Sequence, residues 1–134
     1  MLHIMVVDDE APIRDWLVYC IQKCEAASSV TSAVNGEEAY RRILEQKPNV
    51  VFTDIRMPGM SGLDVIREAR AQGFTGKVII LSGYSDFKYA QEAIRYGVQY
   101  YLTKPIDEDE LEEILRSIKE NLDKDAATAN TREH

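Results

Sequence analysis

Three stretches of this chain, Leu2-His3-Ile4-Met5-Val6-Val7, Val50-Val51-Phe52 and Val78-Ile79-Ile80-Leu81, are apolar almost without interruption, and each is far too short to cross a membrane. A strand with one wet face alternates apolar and polar residues, whereas a strand covered on both faces does not need to. Short continuous runs of this kind therefore suit a sheet with helices on both sides. The intervening segments supply those helices, with apolar stripes at helical spacing: Ile13, Leu17, Cys20, Ile21 and Cys24 in the first, and Ala39, Ile43 and Leu44 in the second. Leu63, Ile66 and Ala69 mark a third, Phe87, Ala90, Ala93 and Ile94 a fourth, and Leu111, Ile114, Leu115, Ile118 and Leu122 a fifth.

Weaker strand runs at Ser28–Val34 and Val98–Leu102 complete five β-α units. Pro12 suits a first helical turn, and Asn35 with Glu38, like Asp107 with Glu110, has capping-box spacing, the second with an Ile106 to Leu111 staple. Gly73 and Gly97 fall where the third and fourth helices should end in a left-handed residue. Right-handed crossovers then make an α/β domain, a doubly wound five-stranded parallel sheet with the flavodoxin-like strand order 2-1-3-4-5. It is expected to occupy residues 1–122, with 123–134 a polar tail or linker that lacks large apolar residues.

At 134 residues the chain has length for one core. No secretory leader is visible, which leads to the expectation of a cytoplasmic protein with no membrane contact. The formal charge of −7 argues against direct nucleic acid binding by this domain, because phosphate neutralisation needs a basic face. Cys20 and Cys24 lack a companion Cys or His pair, so they read as reduced thiols on or beside a buried helix face. His3 and His134 carry no functional assignment, and Trp16, beside the stripe of the first helix, reads as packing.

The chemistry lies where the strands end. Asp8 and Asp9 follow the first apolar run, Asp54 ends the third strand, Ser82 the fourth, and Lys104-Pro105 follows the fifth. In a doubly wound sheet these carboxyl ends face one crevice at the switch point between strands one and three. Three carboxylates there repel unless a cation joins them. Mg2+ fits, being hard and satisfied with one or two protein carboxylates plus water and phosphate oxygens. With the Lys104 ammonium and the Ser82 hydroxyl the set forms a phosphoryl clamp, for which an ionised aspartate can be the nucleophile.

The ordered set Asp8-Asp9, Asp54-Ile55-Arg56-Met57-Pro58-Gly59-Met60-Ser61-Gly62, Ser82-Gly83 and Tyr101-Leu102-Thr103-Lys104-Pro105 resembles the CheY-like receiver domain of two-component response regulators. That resemblance implies that Asp54 accepts a phosphoryl group from a sensor histidine kinase. It implies that Asp9, Asp54 and the backbone carbonyl of Arg56 hold Mg2+ directly, with Asp8 acting mostly through water. Lys104 would pair with Asp54 and then with the phosphoryl oxygens, Ser82 would donate to a phosphoryl oxygen, and Tyr101 would reorient with Ser82. It also implies a cis Lys104–Pro105 peptide, and output through the face of helix four, strand five and helix five, by a homodimer or an attached output domain. Such a domain is not an enzyme beyond Mg-dependent self-phosphorylation and autodephosphorylation.

Leu81-Ser82-Gly83-Tyr84-Ser85-Asp86-Phe87-Lys88-Tyr89-Ala90, with Ala93-Ile94-Arg95-Tyr96-Gly97, is similar to receivers joined to AraC-type helix-turn-helix domains, which implies a transcriptional output. Gly97-Val98-Gln99-Tyr100 lacks the acidic pair usual in receivers of the OmpR type. The alternative is a stand-alone receiver that relays phosphate to another protein. A haloacid-dehalogenase-like phosphatase needs a second acid two residues after its nucleophile, where this chain has Arg56; a nucleotide or flavin carrier would meet repulsion from Asp8-Asp9-Glu10. Plainer readings stand beside the functional ones: Ser82 as a helix cap, Tyr101 as a core aromatic, Lys104 in a static salt bridge.

Overall fold

The computed structural model describes residues 2–24, 27–83 and 87–132. Its elements follow the order β1 (Leu2–Val7), α1 (Ala11–Lys23), β2 (Ala27–Ala33), α2 (Gly36–Gln46), β3 (Val50–Asp54), α3 (Gly62–Ala71), β4 (Lys77–Ser82), α4 (Phe87–Ala93), β5 (Tyr100–Thr103) and α5 (Glu108–Arg132). All strand pairs are parallel, in the order β2-β1-β3-β4-β5. The expected doubly wound sheet is therefore the observed one.

Strand side chains divide between two cores because successive residues point to opposite faces. Met5, Val7, Val51, Val78 and Ile80 pack with Ile43 of α2, Leu63, Ile66 and Ala69 of α3 and Ala93 of α4. Ile4, Val6, Phe52, Ile79, Leu81 and Leu102 pack with Leu17, Cys20 and Ile21 of α1 and Leu111, Leu115 and Ile118 of α5. Every residue of β3 is buried, which explains why that run reads as unbroken. Cys20 is buried and Cys24 half-buried, both are free thiols, and burial raises the pKa of each.

The start of β5 and the end of α5 differ from the sequence reading. β5 starts at Tyr100, because the Val98 N–H donates to Ala93 O, and the Gly97 N–H to Ile94 O, closing the helical segment instead of joining a ladder. That closure follows one turn of 3₁₀ helix, Ile94–Tyr96, and places Gly97 at φ 78°, the left-handed end expected for glycine. α5 continues to Arg132, through most of the segment read as a tail, since 123–132 contains neither Gly nor Pro to stop propagation from the docked turns. Tyr84, Ser85, Asp86 and His134, and the side chains of Phe87, Ala90 and residues 123–132, lie outside the described residues.

Capping differs in detail as well. Asn35 Oδ1 accepts from the Glu38 N–H at 2.8 Å, but the Glu38 carboxylate lies 3.0 Å from Arg42. Asp107 Oδ1 accepts from the Asp109 N–H rather than from Glu110. A reciprocal capping box occurs at α3, where Ser61 Oγ accepts from the Asp64 N–H and Asp64 Oδ2 from the Ser61 N–H, both at 3.1 Å.

Candidate functional site

Strand register assembles the site. Val7 pairs with Thr53, so the next residues of their chains, Asp8 and Asp54, emerge side by side from β1 and β3. Asp54 pairs with Leu81, which puts Ser82 one step further out on β4, and Ser82 pairs with Thr103, after which Lys104 leaves the sheet. The Lys104 N–H donates to Ser82 O at 2.7 Å, and the Lys104–Pro105 peptide is cis.

The Lys104 ammonium sits between two carboxylates, donating to Asp54 Oδ2 at 3.0 Å and Asp8 Oδ2 at 3.2 Å. Asp8 is fully buried, and its other oxygen accepts from the Glu10 N–H at 2.9 Å. Asp54 is 5% exposed, and its Oδ1 accepts from the Arg56 N–H at 3.3 Å. Burial, the largest influence, raises the Asp54 pKa; the hydrogen bond and charge of Lys104 lower it, and the Asp8 charge pushes in the same direction as burial, so the pKa stays raised. Burial alone would lower the Lys104 pKa, but the hydrogen bond and charge of Asp54, with the charge of Asp8, raise it. One ammonium thus serves two acids, and the crevice keeps an excess of negative charge.

Asp9 and Glu10 are exposed, and their oxygens lie with those of Asp8 and Asp54 inside one cluster in which all four ligand atoms fall within 4.8 Å of one another. An all-oxygen set carrying more negative charge than Lys104 neutralises suits a hard divalent cation such as Mg2+. Glu10 did not figure among the expected ligands. The Asp8-Asp9-Glu10 run was its only signal, and such a run more often forms a solvated turn.

Ser82 is fully buried and its hydroxyl donates to the hydroxyl of Tyr101, a ring that is 40% exposed. The bond connects the acid site to the outer edge of β5. Trp16 is 38% exposed and, with Pro12, Ile13, Pro105 and Ile106, lines an open apolar cleft of about 380 Å³ next to Lys104.

The loop joining β3 to α3 is set by backbone approach. A Cβ on Gly62 would stand 2.1 Å from Asp54 O, and one on Gly36 the same distance from Met60 O, so glycine is needed where each helix begins. Glu37 Oε1 accepts from the Met60 N–H at 3.0 Å, and the Arg56 guanidinium lies 5.7 Å from the Tyr89 ring centre. Neither contact was legible as a pair in the sequence, because each joins elements whose neighbourhood only the crossovers decide.

A five-stranded doubly wound sheet thus gathers two buried aspartates and a lysine at its carboxyl edge, with further acids beside them. The chain belongs to the response regulator receiver domain family, whose profile matches residues 4–116. Among curated proteins it is 41% identical over 124 residues to the transcriptional regulatory protein YesN of Bacillus subtilis, covering 89% of this chain and 34% of that protein. It is 37% identical over 116 residues to the transcriptional regulatory protein HptR of Staphylococcus aureus, covering 86% of this chain and 45% of that one. The chain thus spans a third to a half of the length of these relatives. Among solved structures, the receiver domain of AraT, a response regulator from Geobacillus stearothermophilus, superposes with a TM-score of 0.86 at 37% identity, covering 93% of this chain and 98% of that one. A two-component transcriptional regulator AraC from Clostridium phytofermentans gives 0.78 at 33% identity, covering 88% and 92%. Receiver domains are phosphorylated by sensor histidine kinases, bind Mg2+ at an acidic pocket and are generally not catalytic enzymes. No helix among the described residues is long and apolar enough to cross a membrane.

Proposed function

We propose that Asp54 is the phosphoacceptor of this receiver. The observation that carries the reading is a buried carboxylate at the end of β3, held by Lys104 inside a cluster of four acids. In the transfer, an Asp54 oxygen attacks the phosphorus of a kinase phosphohistidine; the P–O bond forms as the P–N bond breaks, and the imidazole keeps the electron pair and takes up a proton. Asp9, Asp54 and the Arg56 carbonyl would hold Mg2+ directly and Asp8 mainly through water, and the ion would supply charge neutralisation between acids and phosphoryl oxygens. Lys104 turns from the carboxylates to the phosphoryl oxygens, and Ser82 donates to one of them. The same domain phosphorylates itself from small phosphodonors and later hydrolyses its own acyl phosphate, both with Mg2+.

Because Ser82 is already bonded to Tyr101, a new acceptor at Ser82 biases the position of that ring and of the face formed by α4, β5 and α5. Ile94, 68% exposed, and Tyr101 give this face its apolar character, suited to a second copy or to an output domain. An AraC-type transcriptional output is supported by the likeness to AraT and AraC receivers and by relatives two to three times longer than this chain. DNA contact then falls to that output domain, and a cytoplasmic location follows from partnership with the kinase's catalytic region. A stand-alone relay, passing the phosphoryl group to another protein, is the second reading.

Incubation with acetyl phosphate and Mg2+ should add one phosphoryl group by mass spectrometry and none to Asp54→Ala; undiminished labelling of that variant overturns the assignment. Sedimentation with and without beryllofluoride tests the output face, and a profile that stays monomeric in both states removes dimerisation by the isolated domain.

A further inference from the structure

Arg56 belongs to two places at once. Its N–H donates to Asp54, while its guanidinium lies 5.7 Å from the ring centre of Tyr89 on α4. Its neighbours Ile55 and Met57 are both buried, so the chain between them turns the Arg56 side chain outward, towards that helix. The rest of the loop is tied elsewhere. The Gly62 N–H donates to Ile55 O at 3.0 Å, and Met60 is bonded to Glu37 on α2.

The helix that carries Tyr89 is anchored at its far end. At its far end Arg70 donates from Nε to Tyr96 O at 2.8 Å, and from Nη1 to Phe74 O at 2.9 Å and Gly76 O at 2.8 Å. These bonds clamp the 3₁₀ turn to the end of α3 and the approach to β4. Towards the front of α4, the Arg56–Tyr89 contact bridges to the Asp54 loop, and Tyr89 itself is 44% exposed.

We infer that Tyr89 is a positioning residue for the loop that presents the Arg56 carbonyl to a divalent cation, and that through this contact cation binding firms the front half of α4. The inference rests on the acid cluster being the Mg2+ site. A ring that helps hold the loop lowers the ordering cost of engaging its carbonyl. By reciprocity of coupled equilibria, engagement of the carbonyl must then steady the ring and its helix. The route is distinct from the Ser82–Tyr101 bond, which leaves the site from a different strand end.

The test titrates Mg2+ calorimetrically into the wild-type chain, Tyr89→Phe, Tyr89→Leu, Arg56→Met and the double variant, and follows amide hydrogen exchange of residues 88–93 with and without Mg2+. Tyr89→Leu is expected to weaken binding by about two- to fivefold, the range of an exposed cation–π contact, and Tyr89→Phe to retain wild-type affinity. Arg56→Met also removes a positive charge close to the acids, so it is read through the double-mutant cycle, which isolates the contact. Mg2+ should slow exchange across 88–93 in the wild type and Tyr89→Phe but not in Tyr89→Leu. Wild-type affinity in Tyr89→Leu, additive effects in the cycle, or slowing that persists in Tyr89→Leu overturns the inference and leaves the metal site standing. A wild-type chain that binds no Mg2+ removes both.

Discussion

Lys104 is the one cation that bonds both buried carboxylates of the crevice among the described residues, so its loss leaves Asp8 and Asp54 facing each other without the ammonium between them. Lys104→Met should therefore destabilise the fold by about 3 kcal/mol at neutral pH, as measured by urea unfolding, and millimolar Mg2+ should recover part of the loss. The deficit should shrink as pH falls and Asp54, whose pKa is raised by burial, takes up a proton. In the wild type the direction at high pH is opposite. The folded Lys104 pKa is raised, so its stabilisation is complete below the ordinary lysine value of 10.5 and disappears as pH rises through the higher folded value. Asp54 behaves as a cost. Its folded pKa is raised above the usual 3.8, mainly by burial, so stability falls as pH rises from that value through the folded one, and stays lowered at neutral pH. Asp54→Asn should accordingly unfold at higher urea than wild type at pH 7, while losing phosphorylation. A lower midpoint would show that the Lys104 bond outweighs desolvation.

At the scale of elements, the junction of β3 with α3 is where backbone geometry and chemistry are least separable. The start of α3 carries a full capping box and brings Gly62 against the Asp54 carbonyl. A methyl group at Gly62 would meet backbone 2.1 Å away, so Gly62→Ala must shift the loop or the helix. We expect a loss of roughly 2–3 kcal/mol by denaturation and, more tellingly, weaker Mg2+ binding, since the shift displaces Asp54 and Arg56 together. The Ser61 cap shows how such a feature escapes sequence reading. Its spacing to Asp64 is local and visible, yet Met57-Pro58-Gly59-Met60-Ser61-Gly62 reads as breaker-rich loop, and the helix start hides inside it. The late start of β5 was hidden differently: Val98 has a strand former's side chain, but its N–H is used to close the preceding helical turn.

For the whole molecule, every core residue among the described side chains lies at or before Leu122, and we propose that the stretch of α5 beyond it, residues 123–132, is separable from the receiver body. A chain shortened to residues 1–122 should unfold within about 0.5 kcal/mol of the full one and accept phosphate equally well; a larger loss would place those residues in the fold. The sequence by itself determined the elements and their order, the parallel doubly wound sheet and the charged residues at its strand ends, because apolar periodicity and turn chemistry are local records of burial. Tertiary structure alone decided that Lys104 serves both Asp8 and Asp54, that Glu10 joins the acids, and that Arg56 reaches Tyr89 while Arg70 clamps Tyr96. Those contacts join residues from separate elements, and which of them meet is settled by strand register and crossover packing, to which the pattern along any one element is blind.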